Sequence, residues 1–220
     1  MAELNVFVSV GATANDTQEA FVRAVEDRLR SEGLIPHTVG RNHFSSDAPL
    51  KTVTELMDKC SGAVVIALER TYFPSGIEKR GGDNETALSE TKLPTSFNQI
   101  EAAMAYTRGL PLLVIVEQGL KKEGLLEPGY DWYVQSVRPD VTSLNTLEFN
   151  GILASWKAKI IQSSSRKKIL SSSVNPSELT VGELIKGLKT SQLWSILIAL
   201  AGLVAGAFAL GAKFFPNLDP

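Results

Sequence analysis

An acidic side chain near the start of a short helix is the residue of this chain best placed for chemistry. Residues 95–106 (TSFNQIEAAMAY) predict a helix capped by Thr95, and a Gly- and Pro-containing turn at 109–111 ends it. The apolar run LLVIV at 112–116 is typical of a parallel strand covered on both faces. Glu101 is therefore expected beside the mouth of a sheet, where the helix dipole favours a carboxylate and α/β folds bind ligands. The alternative is that Glu101 only stabilises the helix start.

Strands that alternate with helices are expected to position Glu101. The helix after the first strand has an apolar stripe at Phe21, Val25 and Leu29, with Asp16 or Thr17 as its cap. Such alternation predicts an α/β domain with a flavodoxin-like parallel sheet and helices on both faces. The predicted strands are residues 5–10, 34–39, 63–68 and 112–116, and a fifth strand is unassigned. After the first helix, the predicted helices are residues 50–60, the helix around Glu101, and residues 148–162.

A charged, Gly-rich segment at residues 69–94 interrupts this alternation. It is too long for a plain connection between a strand and a helix. We therefore expect either a mobile lid or an insertion there.

Composition excludes several classes of function. The chain has 220 residues and a net charge of −2, so it lacks the basic footprint of a nucleic-acid-binding protein. Its single cysteine, Cys60, cannot form an internal disulfide, which favours a reducing, cytosolic setting for the main domain. Two histidines and one cysteine show no metal-ligand spacing, so neither a metal nor a bound cofactor is expected.

The C-terminal part has a different composition. Residues 163–189 are mainly polar and indicate a linker followed by a short juxtamembrane helix. Residues 190–212 contain no charged residue. Because a membrane-spanning helix needs roughly 20 apolar residues, we predict one transmembrane helix over 190–215. Trp194 at one end and aromatic residues at the other are suitable interface anchors. The alternative is a buried core helix.

Lysines and arginines precede the predicted span, so the positive-inside rule places the large domain, residues 1–162, in the cytoplasm of a single-pass membrane protein. Within the span, Gly202 and Gly206 form a G-x-x-x-G pattern that lets two helices approach closely. One interpretation of this pattern is that the chain forms homo-oligomers through this face. The other is that the two glycines have no role in association, because glycine is common in membrane helices.

The first strand ends in Phe7-Val8-Ser9, residues 105–111 follow the pattern Ala-x-x-x-Gly-x-Pro, and residues 95–101 are TSFNQIE. These three short patterns resemble Toll/interleukin-1 receptor (TIR) domains and the related nucleoside deoxyribosyltransferase-like domains, in which the positions of 95–101 often carry Ser-x-Trp-Cys-x-x-Glu. Glu101 matches the motif's acid, whereas Phe97 and Asn98 replace its Trp and Cys. The resemblance covers about residues 4–162, and the 69–94 insertion and the C-terminal anchor depart from it.

Enzymes that resemble this domain cleave the N-glycosidic bond between ribose and a base, as in the release of nicotinamide from NAD. The resemblance implies that Glu101 is the catalytic carboxylate beside an oxocarbenium-like centre. A purely structural role is the simpler interpretation for Ser9 and Arg41. The ligand-binding residues that the resemblance implies are Ser9 and Gly11 near a phosphate, Arg41 at a diphosphate, Phe73 against a base, and Phe97 and Asn98 at the motif positions.

Three functions are consistent with these features. The first is a membrane-tethered enzyme that acts on NAD or a related nucleotide in signalling or defence. The second is a nucleotide sensor whose transmembrane helix oligomerises as its output. The third is a scaffold that recruits other TIR-like domains without a ligand.

Overall fold

Strands and helices alternate along most of the chain. The computed structural model describes residues 4–172 and positions 194–195, 198–199, 201–203 and 205–206. The strands are β1 (Leu4–Val10), β2 (Leu34–His37), β3 (Gly62–Ala67), β4 (Thr71–Glu78), β5 (Thr86–Leu93), β6 (Leu112–Glu117) and β7 (Tyr133–Val137). The helices are α1 (Asp16–Ser31), α2 (Pro49–Asp58), α3 (Ser96–Thr107) and α4 (Leu147–Ser172), with 3-10 turns at Gly124–Leu126 and Val141–Asn145.

Five parallel strands form the central sheet, in the order β2-β1-β3-β6-β7. Every residue of β3 and β6 is buried, as their unbroken apolar sequences predict. The predicted parallel α/β fold is thereby confirmed. The strand order reverses between β1 and β3, and the carboxyl ends of strands at such a switch point are where open α/β sheets bind ligands.

Helices cover both faces of this sheet. On one face, Val8 of β1 belongs to a buried cluster with Phe21 of α1 and Leu153 of α4. On the other face, Phe7 belongs to a cluster with Met57 of α2, to which α3 also contributes. Because consecutive β1 residues point to opposite faces, Ser9 lies on the same face as Phe7 and therefore on the side of α3.

The starts of α1 and α3 are capped by side chains. Thr95 caps α3 as predicted, its hydroxyl oxygen accepting from the Phe97 amide at 3.4 Å. The predicted cap of α1 at Asp16 or Thr17 is wrong by one or two residues, because the side chain of Asn15 accepts from the Gln18 amide at 2.9 Å.

The segment at 69–94 contains an antiparallel hairpin made of β4 and β5. The prediction that it is no plain connection is confirmed. In this hairpin β4 is exposed except at Glu78, whereas half of β5 is partly buried. Ion pairs attach the hairpin to the domain: Lys92 lies 2.6 Å from Glu69, and Lys121 lies 2.6 Å from Glu78.

The unassigned fifth strand is β7, at the edge of the sheet next to β6. The predicted end of the last helix at residue 162 is wrong, because α4 continues to Ser172. Residues 163–172, predicted as part of a linker, are therefore helical. Among the α4 side chains that the structure describes, which end at residue 165, the last one buried in the domain core is Ile160. The apolar periodicity therefore stops before the helix does.

Most of the predicted membrane span at 190–215 lies outside the described residues. Among the described residues, no helix combines the length and the apolar character that crossing a bilayer requires. Of the side chains described in this stretch, Trp194, Ile198 and Leu203 are 63%, 68% and 73% exposed.

Candidate functional site

A polar cluster lies under the carboxyl end of β1, in an otherwise apolar layer. Ser9 ends the buried part of β1, and Asn98 and Glu101 lie in the first two turns of α3. Ser9 and Asn98 are each 1% exposed, and Glu101 is 9% exposed. The amide of Asn98 donates to the Ser9 hydroxyl oxygen at 3.0 Å, which joins the helix to the strand. The structure therefore brings these three predicted residues together.

The Glu101 carboxyl is held in a poorly solvated environment. Burial raises its pKa above the usual range, and a hydrogen bond with the Ser9 hydroxyl opposes this rise only in part. An ionised carboxylate at this position is consequently costly in free energy. A positively charged group placed beside it would be strongly stabilised, because Coulomb interactions grow as the local dielectric falls.

Asn98 has unused hydrogen-bonding capacity. Its amide nitrogen is engaged by Ser9 and, at 3.4 Å, by the Ile66 carbonyl, but its buried Oδ1 has no partner among the described residues. Buried polar atoms in folded proteins are nearly always satisfied. Oδ1 of Asn98 is therefore available to a donor from a water or a ligand.

A narrow cleft lies above Asn98 at the switch point of the sheet. Its volume is about 10 Å³, roughly enough for one water molecule. Gly11 is required there by close approach, since a Cβ at this position would lie 2.9 Å from Cγ2 of Thr95. The cleft is lined by Gly11, Ala12, Leu68, Glu69, Arg70, Thr95 and Asn98.

The segment that leads into the hairpin closes this cleft. Nη1 of Arg70 donates to the Ala12 carbonyl at 3.2 Å, and the side chain of Gln18 donates to the Glu69 carbonyl at 3.0 Å. The Glu69 amide in turn donates to Oε2 of Glu117 at 2.7 Å. These contacts join the ends of β1, β3 and β6 over the site.

Arg41 is occupied elsewhere. Its guanidinium donates to both carboxylate oxygens of Glu19, at 2.8 and 2.9 Å, and lies 3.5 Å from Glu26. This bidentate contact lowers the pKa of Glu19 to about 2. Arg41 thus attaches the loop after β2 to α1 and is not part of the lining of the cleft.

The two predicted aromatic residues also lie outside the cleft. Phe73 is in β4 and is 43% exposed, and Phe97 is in the first turn of α3 and is 48% exposed. Neither ring lines the space next to Asn98.

Sequence reasoning missed Glu69, Arg70 and Glu117 as parts of this site. All three stand at or just beyond the carboxyl ends of β3 and β6. That position was a usable signal, because ligands of open α/β sheets bind at this edge. No three His, Cys, Asp or Glu side chains in the described ranges form a group that could hold a metal ion.

Comparisons with known proteins give loose structural likenesses. No protein-family model matches the sequence, and no curated protein matches it. The CMP N-glycosidase BcmB of Clostridium botulinum is similar over 66% of this chain and 98% of its own, with 13% identity and a TM-score of 0.39. The TIR domains of the activated Roq1 resistosome, which recognises the pathogen effector XopQ, are similar over 76% of this chain and 78% of theirs, with 12% identity and a TM-score of 0.34. At these scores neither likeness assigns a function to the chain.

Proposed function

We propose that this TIR-like domain binds NAD or a related nucleotide at Ser9, Asn98 and Glu101 and cleaves its N-glycosidic bond. The observation that carries the proposal is the buried Glu101 carboxyl, hydrogen-bonded to Ser9 at the carboxyl edge of a parallel sheet. A buried acid with a perturbed pKa at such an edge is characteristic of functional sites. The activity would serve signalling or defence.

The chemistry requires a negative charge beside the ribose. When the bond between C1′ and the base nitrogen breaks, its electron pair leaves with the base, and C1′ becomes oxocarbenium-like. Glu101 stabilises that charge or attacks C1′, and water then supplies the hydroxyl and releases a proton. NAD suits this site because its nicotinamide ring is cationic and leaves as a neutral base, so no proton has to be donated.

Neighbouring groups supply the binding contacts. Oδ1 of Asn98, which lacks a partner among the described residues, accepts from a ribose hydroxyl, and Ser9 orients the carboxylate. At Gly11 the space that a Cβ would fill is taken by Thr95, with Cγ2 only 2.9 Å from that position, so a phosphate contact with the Gly11 backbone requires Thr95 to move.

Substrate entry requires the cleft to widen, because a volume of about 10 Å³ holds no nucleotide. The residues that must move are those that close it, above all Arg70 and Glu69. This closure also favours a second candidate, a sensor or scaffold without catalysis in which opening of the cleft is itself the signal.

Two measurements on the full-length chain distinguish these functions. The chain is incubated with NAD and with nucleosides, and chromatography detects any released base. Binding of the same compounds is measured separately. Release of base supports the enzyme, and binding without release supports the sensor. If concentrated wild-type protein neither cleaves nor binds any nucleotide tested, both site hypotheses fail and the scaffold is left.

We further propose that residues 190–215 anchor the chain as a single-pass membrane protein with the large domain in the cytoplasm. The full chain is then expected in the membrane fraction and should require detergent, whereas a chain truncated after Ser172 should purify without it. Fractionation of cells that express each form measures this. Recovery of the full chain from cytosol as a monodisperse monomer without detergent would refute the anchor.

The same segment is proposed to self-associate through Gly202 and Gly206. A Cβ at either position would meet no atom within 4 Å among the described residues. Replacing both glycines by Ile is expected to reduce cross-linking in native membranes, because the bulkier residues separate the helices. Ile198→Leu, which conserves volume, is the control, and cross-linking of the double variant at the wild-type level would exclude this face.

A further inference from the structure

A second pocket lies at the opposite, amino-terminal edge of the sheet, far along the strands from Ser9. It is formed where α3 ends and β6 begins, and its volume is about 470 Å³. Small-molecule sites typically have volumes of roughly 300–1,000 Å³. The lining residues are Tyr106, Thr107, Gly109, Leu110, Leu112, Asp131 and Trp132.

Two aromatic rings of this pocket's lining, those of Tyr106 and Trp132, are held at a fixed angle, and Tyr130 supports Trp132 from outside the lining. The Trp132 indole donates from Nε1 to the Leu125 carbonyl at 3.0 Å, which fixes its orientation. Tyr106 meets it edge to face, with ring centroids 5.1 Å apart and an angle of 68° between the planes. Tyr130 stacks on the indole at 4.6 Å and 11°. These contacts order the aromatic surface before any ligand arrives.

Solvent still reaches much of this aromatic surface. Tyr106 is 45% exposed and Tyr130 is 57% exposed, although both contact Trp132. Exposed aromatic surface grouped around a concave site is more informative than single exposed apolar residues. The arrangement indicates a surface prepared for a ligand rather than a piece of the core.

The charge that lines the pocket is negative, since Asp131 is the one charged residue among the described residues of the lining. The end of α3 adds no further attraction for a cation, because the Arg108 guanidinium donates to the Met104 carbonyl at 3.1 Å and offsets the helix dipole there. Arg108 also donates to Asp58 at 2.9 Å and is not part of the lining.

We propose that this pocket binds a small organic cation with a quaternary ammonium head. Such a head is attracted by the faces of Trp and Tyr rings, and it has no N–H groups that would be left without acceptors. Asp131 adds an attraction that a neutral ligand of equal shape would not feel. A single carboxylate among aromatic rings is a poor site for a metal ion, which prefers several oxygen ligands. The site is independent of Glu101 and of the proposed cleavage.

Calorimetric titration of the full-length chain, in a maltoside detergent and at matched ionic strength, tests the charge requirement. The probe is choline, and the comparison is 3,3-dimethylbutan-1-ol, which has nearly the same shape without the charge. Choline is expected to bind, and the neutral alcohol to bind about tenfold more weakly or not at all. No heat from choline, or equal affinity for the two compounds, would overturn the proposal.

Variants locate the binding. Asp131→Asn is expected to weaken choline binding about fivefold, because only the charge is removed. Trp132→Phe, which keeps a ring in place, is expected to weaken it about threefold. Asp83→Asn, in the exposed turn of the hairpin, makes the same charge change away from the pocket and should leave choline binding unaltered. Unchanged affinity in Asp131→Asn, with an unchanged melting temperature, would remove the pocket as the site.

Discussion

Glu101→Gln is expected to lower the rate of nucleotide cleavage by about 100-fold or more, equivalent to about 2.7 kcal/mol of transition-state stabilisation. The substitution keeps the size of the side chain and most of its hydrogen bonding, including an acceptor for the Ser9 hydroxyl. It removes the charge that stabilises the oxocarbenium-like centre. The measurement is kcat and kcat/KM for NAD, made in parallel for the wild type and the variant.

The same substitution should stabilise the folded chain at neutral pH. Burial raises the pKa of the Glu101 carboxyl above the value of 4.5 that it has when exposed, so ionisation costs folded-state free energy. The stability that the protonated acid provides is complete below pH 4.5 and is lost as the pH rises through the folded-state pKa. Gln cannot ionise, so the melting temperature of the variant should exceed that of the wild type at neutral pH and match it in acid.

A matched control distinguishes the effect of removing the Glu101 charge from the effect of removing a carboxylate elsewhere on the domain. Glu55→Gln makes the same chemical change on α2, where the Glu55 side chain is 53% exposed and lies 3.8 Å from Lys51. It is expected to alter neither turnover nor melting temperature measurably, because exposed ion pairs contribute little. Full turnover in Glu101→Gln would show that Glu101 is not catalytic, and a lower melting temperature at neutral pH would contradict its desolvation.

The sheet and the polar cluster were predictable because their signals are local. The unbroken apolar runs of β3 and β6 identify strands buried on both faces, and the alternation with helices fixes their parallel order. Once β1 and α3 are placed, Ser9 and Glu101 lie at the same edge of the sheet. The sequence predicted that shared edge, whereas the hydrogen bond that joins α3 to Ser9 through Asn98 came from the structure.

The edge strand and the long helix were harder for a physical reason. Only Gln135 and Val137 of β7 are buried, so its side chains give a weak periodic pattern. Helix α4 continues to Ser172, whereas Ile160 is the last buried residue among its described side chains and residues 161–165 show no apolar stripe. Apolar periodicity reports burial, and it therefore fails wherever an element extends beyond the core.

Closure of the cleft could not be predicted because it depends on contacts between distant parts of the chain. Arg70 and Ala12 are 58 positions apart, and Glu69 and Glu117 are 48 positions apart. Arg41 illustrates the same difficulty: its place after β2 suggested a phosphate ligand, yet Glu19 and Glu26 on α1 occupy its guanidinium. Charge and position in the sequence identify candidate ligand-binding residues. Their roles depend on the hydrogen-bond and ion-pair partners that the fold places beside them.

Trp156→Ala is expected to destabilise the domain by about 3–5 kcal/mol, a large part of the roughly 5–15 kcal/mol available to a folded domain. Trp156 is 4% exposed, belongs to the core cluster beneath α4, and donates from its indole nitrogen to the Pro111 carbonyl at 3.0 Å. The change leaves a cavity and removes one of the two donors to that carbonyl, the other being the Ala63 amide at 3.0 Å. Denaturant unfolding of the chain truncated after Ser172 measures the loss.

Two further variants divide this loss into its causes. Trp156→Phe keeps most of the apolar volume and removes the indole donor, so it should cost less than the alanine variant, with about 1 kcal/mol from the lost hydrogen bond. Ser155→Ala changes an exposed neighbour on α4 and should change the unfolding free energy by less than about 0.5 kcal/mol. Because Trp156 joins α4 to the start of β6, equal stability of the alanine variant and the wild type would mean that α4 is not part of the domain core. A large loss that Phe largely restores would show that α4 stabilises the domain mainly by filling volume.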